Sequence, residues 1–210
     1  MKRFAKIVAL ICLLLCCTTS RFAASAAPGL RTEWGFTAGI KHPFAKFHTG
    51  ASTADLSSKT GFTLGFHMAL RIGGRFAVQP EIEFSHLKIN ISDPAMNFAS
   101  AVKCNTLQIP ILASVKLGVF RINAGPVFTV MDDPSYADRN GEKVMFGRIY
   151  PTISYTIGVS VLVVKHLYID ARFSGQFNST DNFLSYDAAM RGVDFQMNMR
   201  SIQLKVGYIF

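Results

Sequence analysis

Nine charged residues lie on the polar side of alternating apolar segments: Lys41, Arg71, Glu81, Glu83, Lys116, Arg121, Asp170, Arg172 and Lys205. Side chains alternate faces along a strand with a period of two, so each sits opposite its own segment's hydrocarbon face. Carboxylates and cations gathered on one inner surface can pair, relay protons or guide ions. In a narrow interior pairing dominates, because an unmatched buried charge carries a heavy desolvation penalty. The six cations outnumber the three anions. Unmatched positive charge is therefore expected near one end of the interior that collects them.

Other residue sets are weaker. Ser52, His48 and Asp55 bring a nucleophile, a base and a carboxylate close in sequence, the set a rim-sited hydrolase or acyltransferase would use. Such clusters also arise freely in polar loops. His42, His48, His67, His86 and His166 show no pair at metal-ligand spacing. Asp132-Asp133-Pro134 with Asp138 to Glu142 lacks the residue order of a calcium loop and reads as ordinary turn chemistry. No Gly-x-Ser-x-Gly, phosphate-loop or dinucleotide pattern occurs. Lysines and arginines are spread along the chain without one basic stripe, which argues against nucleic acid. The expectation is a protein without cofactor, metal or catalytic residues.

The elements that carry these residues are strands. From Phe62 to Ile72 every second residue is large and apolar, with Thr63, Gly65, His67, Ala69 and Arg71 between. Eight segments share this alternation, near residues 34–41, 62–72, 76–85, 107–117, 120–130, 152–161, 167–177 and 202–210. Their length suits the roughly 9–11 residues that a tilted strand needs to cross hydrocarbon. Their connections alternate too. Gly73-Gly74-Arg75, Gly118-Val119 and Val164-Lys165-His166 are tight, whereas His42 to Ser58, Asn90 to Lys103, Asp132 to Arg148 and Asn178 to Phe195 are long and polar. Short turns on one rim and long loops on the other are the pattern of an outer-membrane barrel. The fold class is all-β: an eight-stranded, antiparallel, up-and-down transmembrane β-barrel. Pro80, Pro110, Pro126 and Pro151 fall in or beside the strands and should sit at bulges, strand starts or rims.

The two ends fit that location. Lys2, Arg3 and Lys6 precede an apolar run from Ile7 to Cys17 and the small-residue pattern Ala24-Ser25-Ala26, so residues 1–26 read as a cleaved signal peptide. The barrel domain is then 27–210. Loss of Lys2, Arg3, Lys6 and Arg21 lowers the formal charge from +9 to +5 and leaves Cys104 as the sole cysteine. A lipid anchor on Cys12, Cys16 or Cys17 fits poorly, since no small residue precedes a suitable cysteine. At the other end Tyr208 and Phe210 close an alternating strand, resembling the assembly signal by which outer-membrane barrels reach their insertion machinery.

Arg75-Phe76-Ala77-Val78-Gln79-Pro80-Glu81-Ile82-Glu83-Phe84-Ser85 resembles the "QPE" strand of PorT-type outer-membrane barrels of Bacteroidetes. The resemblance continues in Leu107-Gln108-Ile109-Pro110-Ile111, Ala124-Gly125-Pro126, Asp170-Ala171-Arg172-Phe173-Ser174 and Gly207-Tyr208-Ile209-Phe210. Phe173 stands where family members often carry Tyr. The resemblance implies a small outer-membrane barrel and no family-wide activity. The expected role is non-enzymatic, structural or surface-binding through four extracellular loops. Expected partners are outer-membrane lipid and lipopolysaccharide, the insertion machinery, and a surface ligand or protein. The alternatives are a narrow porin-like barrel for small or apolar solutes and a rim-sited enzyme.

Overall fold

Alternation becomes a closed wall in the computed structural model, which describes residues 30–48, 55–93, 98–137, 143–145, 149–185 and 192–210. The strands are β1 (Leu30–His48), β2 (Asp55–Ile72), β3 (Phe76–Asp93), β4 (Phe98–Leu117), β5 (Phe120–Ala137), β6 (Lys143–Met145), β7 (Ile153–Val164), β8 (Leu167–Gln176), β9 (Thr180–Ser185) and β10 (Gly192–Ile209). Eight of them form the wall in the order β1-β2-β3-β4-β5-β7-β8-β10, all antiparallel, and β10 pairs back onto β1 from Gly35↔Ile209 to His48↔Gln196. Closure removes both sheet edges, as hydrocarbon demands of backbone N–H and C=O groups. The short strands β6 and β9 extend the wall beyond its core by pairing with β5 and β10.

The wall is inside-out relative to a soluble sheet. Phe36, Leu64, Ile157 and Leu204 are 49–55% exposed, while Thr37, Thr63, Thr156 and Lys205 on the opposite face are 0–4% exposed. A soluble sandwich buries the first set, and only a lipid solvent makes the observed choice favourable. Ten residue-to-residue steps separate Phe62 from Ile72 on β2. At about 3.3 Å each and a tilt of about 40°, they cover roughly the 25 Å of an outer-membrane apolar band. The three-residue turn Gly73-Gly74-Arg75 and the two-residue turn Gly118-Val119 use glycine where φ is positive, with Gly73 at +62°, Gly74 at +79° and Gly118 at +65°. Trp34, Phe36, Phe66, Tyr208 and Phe210 gather on the outer surface towards that rim. Phe36 and Phe210 meet edge-on at 5.6 Å, and Tyr208 and Phe210 at 5.5 Å.

Two sequence expectations are corrected. The strands run beyond the apolar band, so most of the stretches read as loops are strand. His42 to His48 lies in β1, Asn90 to Asp93 in β3, Phe98 to Lys103 in β4, and Asp132 to Ala137 in β5. In the outer parts of β3 and β4 the contrast of the apolar band is lost: Leu87, Ile89 and Val102 face inward at no more than 1% exposure while Lys88 and Lys103 face outward, so the periodicity read from the band does not reach them. The prolines, in turn, do not make bulges. Pro80 pairs with Ile111 and Pro110 with Val127, and two rungs drop out beside each while the register is unchanged. The bulges lie instead at Lys59/Phe62, Leu107/Gln108 and Leu162/Val164. Pro151 precedes β7. The segment 1–26 lies outside the described residues.

Candidate functional site

The middle of the lumen is an ion-pair layer. Glu81 and Glu83 are two apart on β3, as are Asp170 and Arg172 on β8, so both pairs point inward by parity. Arg172 donates to both oxygens of Glu81 at 2.6 and 2.7 Å, and its Nε lies 2.6 Å from Asp170 Oδ2. Lys205 on β10 donates to Glu83 at 2.9 Å and lies 3.7 Å from Glu81 and 4.0 Å from Asp170. Lys41 on β1 donates to Gln108 at 3.0 Å and sits 3.6 Å from Glu83. Gln79 donates to Glu81 at 2.6 Å and Gln203 to Glu83 at 3.0 Å. All six ions are at most 3% exposed, and three cations face three anions. At this burial an unmatched charge would cost several kcal/mol, so neutrality is what lets the layer exist.

Glycines make the room. Gly39 pairs with Lys205 and Gly158 with Arg172 across their ladders. A Cβ on either would come within 2.8 Å of Lys205 Cγ or 2.6 Å of Arg172 Cγ, closer than side-chain atoms approach. Each long lumen side chain lies over its glycine partner.

Towards the short-turn rim the balance shifts. Arg71 Nε lies 2.8 Å from Glu33, and Arg121 Nη2 lies 3.8 Å from the same carboxylate. Lys116 stands directly across the ladder from Arg121 with no carboxylate partner among the described residues. Two of the nine charges thus share one acid, Glu33, which the sequence reading did not single out, and a third, Lys116, adds to the positive side. Between rim and middle a hydrogen-bonded ribbon crosses four strands: Ser114 donates to Asn123 at 2.5 Å, Asn123 to Ser160 at 2.6 Å, and Ser160 to Asp170 at 2.9 Å. His67, 1% exposed, lies in the lumen with Nδ1 3.4 Å from the Tyr168 hydroxyl. Parity placed His67 and Tyr168 on the inner face but could not say what they touch, and Glu33 precedes the segment read as the first strand.

Above the ion layer the chain folds back into its own lumen. Ile149 and Tyr150, which precede β7, are 0% and 4% exposed. Their backbone N–H groups both donate to Asp132 Oδ2, at 2.7 and 2.8 Å, and Gln176 donates to the Ile149 carbonyl at 2.7 Å. Lys41 Nζ lies 5.0 Å over the Tyr150 ring, and Cys104 donates its thiol proton to Asp132 Oδ1 at 3.0 Å. Asp132, read from sequence as a turn former, is therefore a strand residue that anchors a stopper. No periodic signal marks Ile149-Tyr150, because the two residues are not in a strand.

The remaining sequence candidates are not gathered. Ser52 lies outside the described residues. His48 ends β1 and Asp55 begins β2, but the structure does not describe their side chains. His42 is a strand residue rather than a loop residue, with Nδ1 2.9 Å from Thr60 Oγ1. His86 bonds Asn105 at 2.7 Å, and His166 bonds the Ile209 carbonyl at 2.8 Å, so each is engaged locally. Among the described residues no cluster of three or more His, Cys, Asp or Glu could hold a metal ion.

Solved outer-membrane proteins share this architecture. Neisserial surface protein A aligns over 84% of this chain and 97% of its own, at 14% identity and a TM-score of 0.50. OprG from Pseudomonas aeruginosa aligns over 87% and 97%, at 8% identity and a TM-score of 0.50. Ail, the attachment invasion locus protein of Yersinia pestis, aligns over 86% and 99%, at 11% identity and a TM-score of 0.50. At such identities the likeness is one of fold. No curated protein matches the chain in sequence. A family model matches residues 22–183, and the wall it leaves out is β10, the strand that closes the barrel onto β1. The chain belongs to the outer membrane protein beta-barrel domain family and is an integral barrel of the outer membrane.

Proposed function

We propose that this protein is a non-enzymatic outer-membrane barrel that acts through what its wall and four extracellular loops bind, not through what crosses its lumen. The observation carrying this reading is the six-ion layer across the middle, with every member at most 3% exposed. An eight-stranded barrel is just wide enough for side chains to fill, and a packed, neutral layer leaves no water path of porin width. Ile149 and Tyr150 add a second obstruction above it.

Purified protein in planar bilayers should give no steady single-channel current of porin size. A reproducible one would overturn the closed-lumen reading in favour of the narrow transport barrel. Hydrolase and acyltransferase assays on wild type and on Ser52→Ala and His48→Ala variants address the enzyme alternative. Turnover lost in both variants would replace the binding role with a rim-sited active site.

Finer features belong to the same proposal. The mature chain starts near Ala27, and the "QPE" strand around Pro80 supports a likeness to PorT-type barrels without transferring a role. Tyr208 and Phe210 serve as the assembly signal read by the insertion machinery. Support for the last comes from their exposure, 48% and 64%, on the strand that must close the barrel.

A further inference from the structure

Three lysines stand side by side on the outer wall. Lys59 pairs with Lys88 across β2–β3, and Lys88 pairs with Lys103 across β3–β4. Neighbouring strands are about 4.8 Å apart, so one rung brings three cations within about 10 Å. All three are exposed. They share the outward face with Phe62, which packs below them with its ring 5.6 Å from that of His86 and 6.2 Å from that of Phe84. The bulge between Lys59 and Phe62 sets this alignment, because it restores the outward facing of Lys59 after the shift in register.

The row has no internal answer. None of the three lysines forms an ion pair among the described residues. The nearest outward carboxylate in register is Asp133, opposite Asn105 and therefore diagonal to Lys103. Like charges directly opposite one another on a sheet are destabilising, so three in one rung call for an external anion.

Depth identifies that anion. Phe62 marks the upper end of the apolar band that starts at Ile72, and the lysines come next above it, on the wall and not at the loop tips. That is headgroup depth in the outer leaflet. Long lysine stems lie along apolar wall while their ammonium groups reach the interface. We propose that Lys59, Lys88 and Lys103 form a binding site for the phosphate groups of lipopolysaccharide's lipid A, seated against β2, β3 and β4. The site stands on the outer-membrane location alone and is independent of what the lumen or loops do.

The test uses the mature barrel in nanodiscs, with binding of bisphosphorylated lipid A measured against the same lipid stripped of phosphate and against phosphatidylglycerol. At about fivefold per surface lysine, Lys88→Gln should weaken lipid A binding about fivefold and the triple glutamine variant about a hundredfold. The triple arginine variant should stay within about threefold of wild type, and Lys165→Gln at the opposite rim should change nothing. Heat-shifted gel mobility establishes that each variant is folded. Should the triple glutamine variant not fold, Lys88→Gln and the lipid series read the same site. Wild-type affinity in the glutamine variants, equal binding of dephosphorylated lipid A, or equal competition by phosphatidylglycerol would each overturn the proposal.

Discussion

Lysine is used in two opposite ways in this barrel. Lys205 and Lys41 lie in the lumen, each 1% exposed and each within 4 Å of a carboxylate. Lys59, Lys88 and Lys103 lie on the outer wall, exposed and facing one another. Inside, low dielectric makes every charge expensive, so the ions come in matched numbers with hydrogen bonds to spare from Gln79, Gln108 and Gln203. Outside, water and headgroups screen the charges, and a row of like sign survives. The lesson is that charge pairing in this fold is dictated by solvent exclusion, not by residue type.

The sharpest way to break the contrast is to remove one inner ion. Arg172→Met leaves Glu81 and Asp170 buried with their main partner gone, and should destabilise the refolded barrel by about 3–5 kcal/mol in urea titration. Unfolding at the wild-type midpoint would mean the layer is wetter than its burial implies. Next is a charge on the lipid face. Phe66→Arg, beside Trp34 and Phe36, should cost about 2–4 kcal/mol and reduce the inserted fraction, whereas Phe66→Leu should insert normally. Equal insertion of the two would reverse the assignment of faces. A smaller effect is expected at the stopper. Asp132→Ala strips the acceptor from two buried N–H groups and should loosen Ile149 and Tyr150 by about 1–3 kcal/mol. Hydrogen exchange at those two amides reads it directly, with the wall amides as the unchanged reference. The smallest effect closes the comparison. Lys88→Gln in lipid-free detergent should shift stability by no more than about 0.5 kcal/mol, towards greater stability, because it relieves repulsion in the rung. A large loss would show that Lys88 has a protein partner after all.

How much of this the residues announce depends on whether a signal is periodic. The wall was legible because each strand separates two solvents, and Phe62 to Ile72 records that separation residue by residue. Parity also put Glu81, Glu83, Arg172 and Lys205 on one side. It could not name their partners, since Arg172 on β8 meets Glu81 on β3 only through the curvature and stagger of a closed barrel. The outer halves of β3 and β4 were illegible because the contrast that marks the band is lost there, with Leu87, Ile89 and Val102 facing inward and Lys88 and Lys103 outward. The lysine row escaped notice for a further reason. Lys59 aligns with Lys88 and Lys103 only once the bulge before Phe62 is known. Ile149 and Tyr150 carry no pattern at all, and their backbone is held by two side chains, Asp132 and Gln176.

The glycines opposite the long lumen side chains have a consequence for how this interior can change over time. Gly39 with Lys205, and Gly158 with Arg172, each share one side-chain volume between two strands. Neither position is free to drift by itself: a larger residue at Gly158 collides with Arg172, and a smaller one at 172 strands Glu81. A side chain at either glycine would also strike backbone, at Ala171 O beside Gly158 and at Leu204 O beside Gly39, so shortening the partner does not make the room. Descendants of this barrel should keep both glycines whatever the partner becomes, while the lipid-facing half of each strand varies one residue at a time.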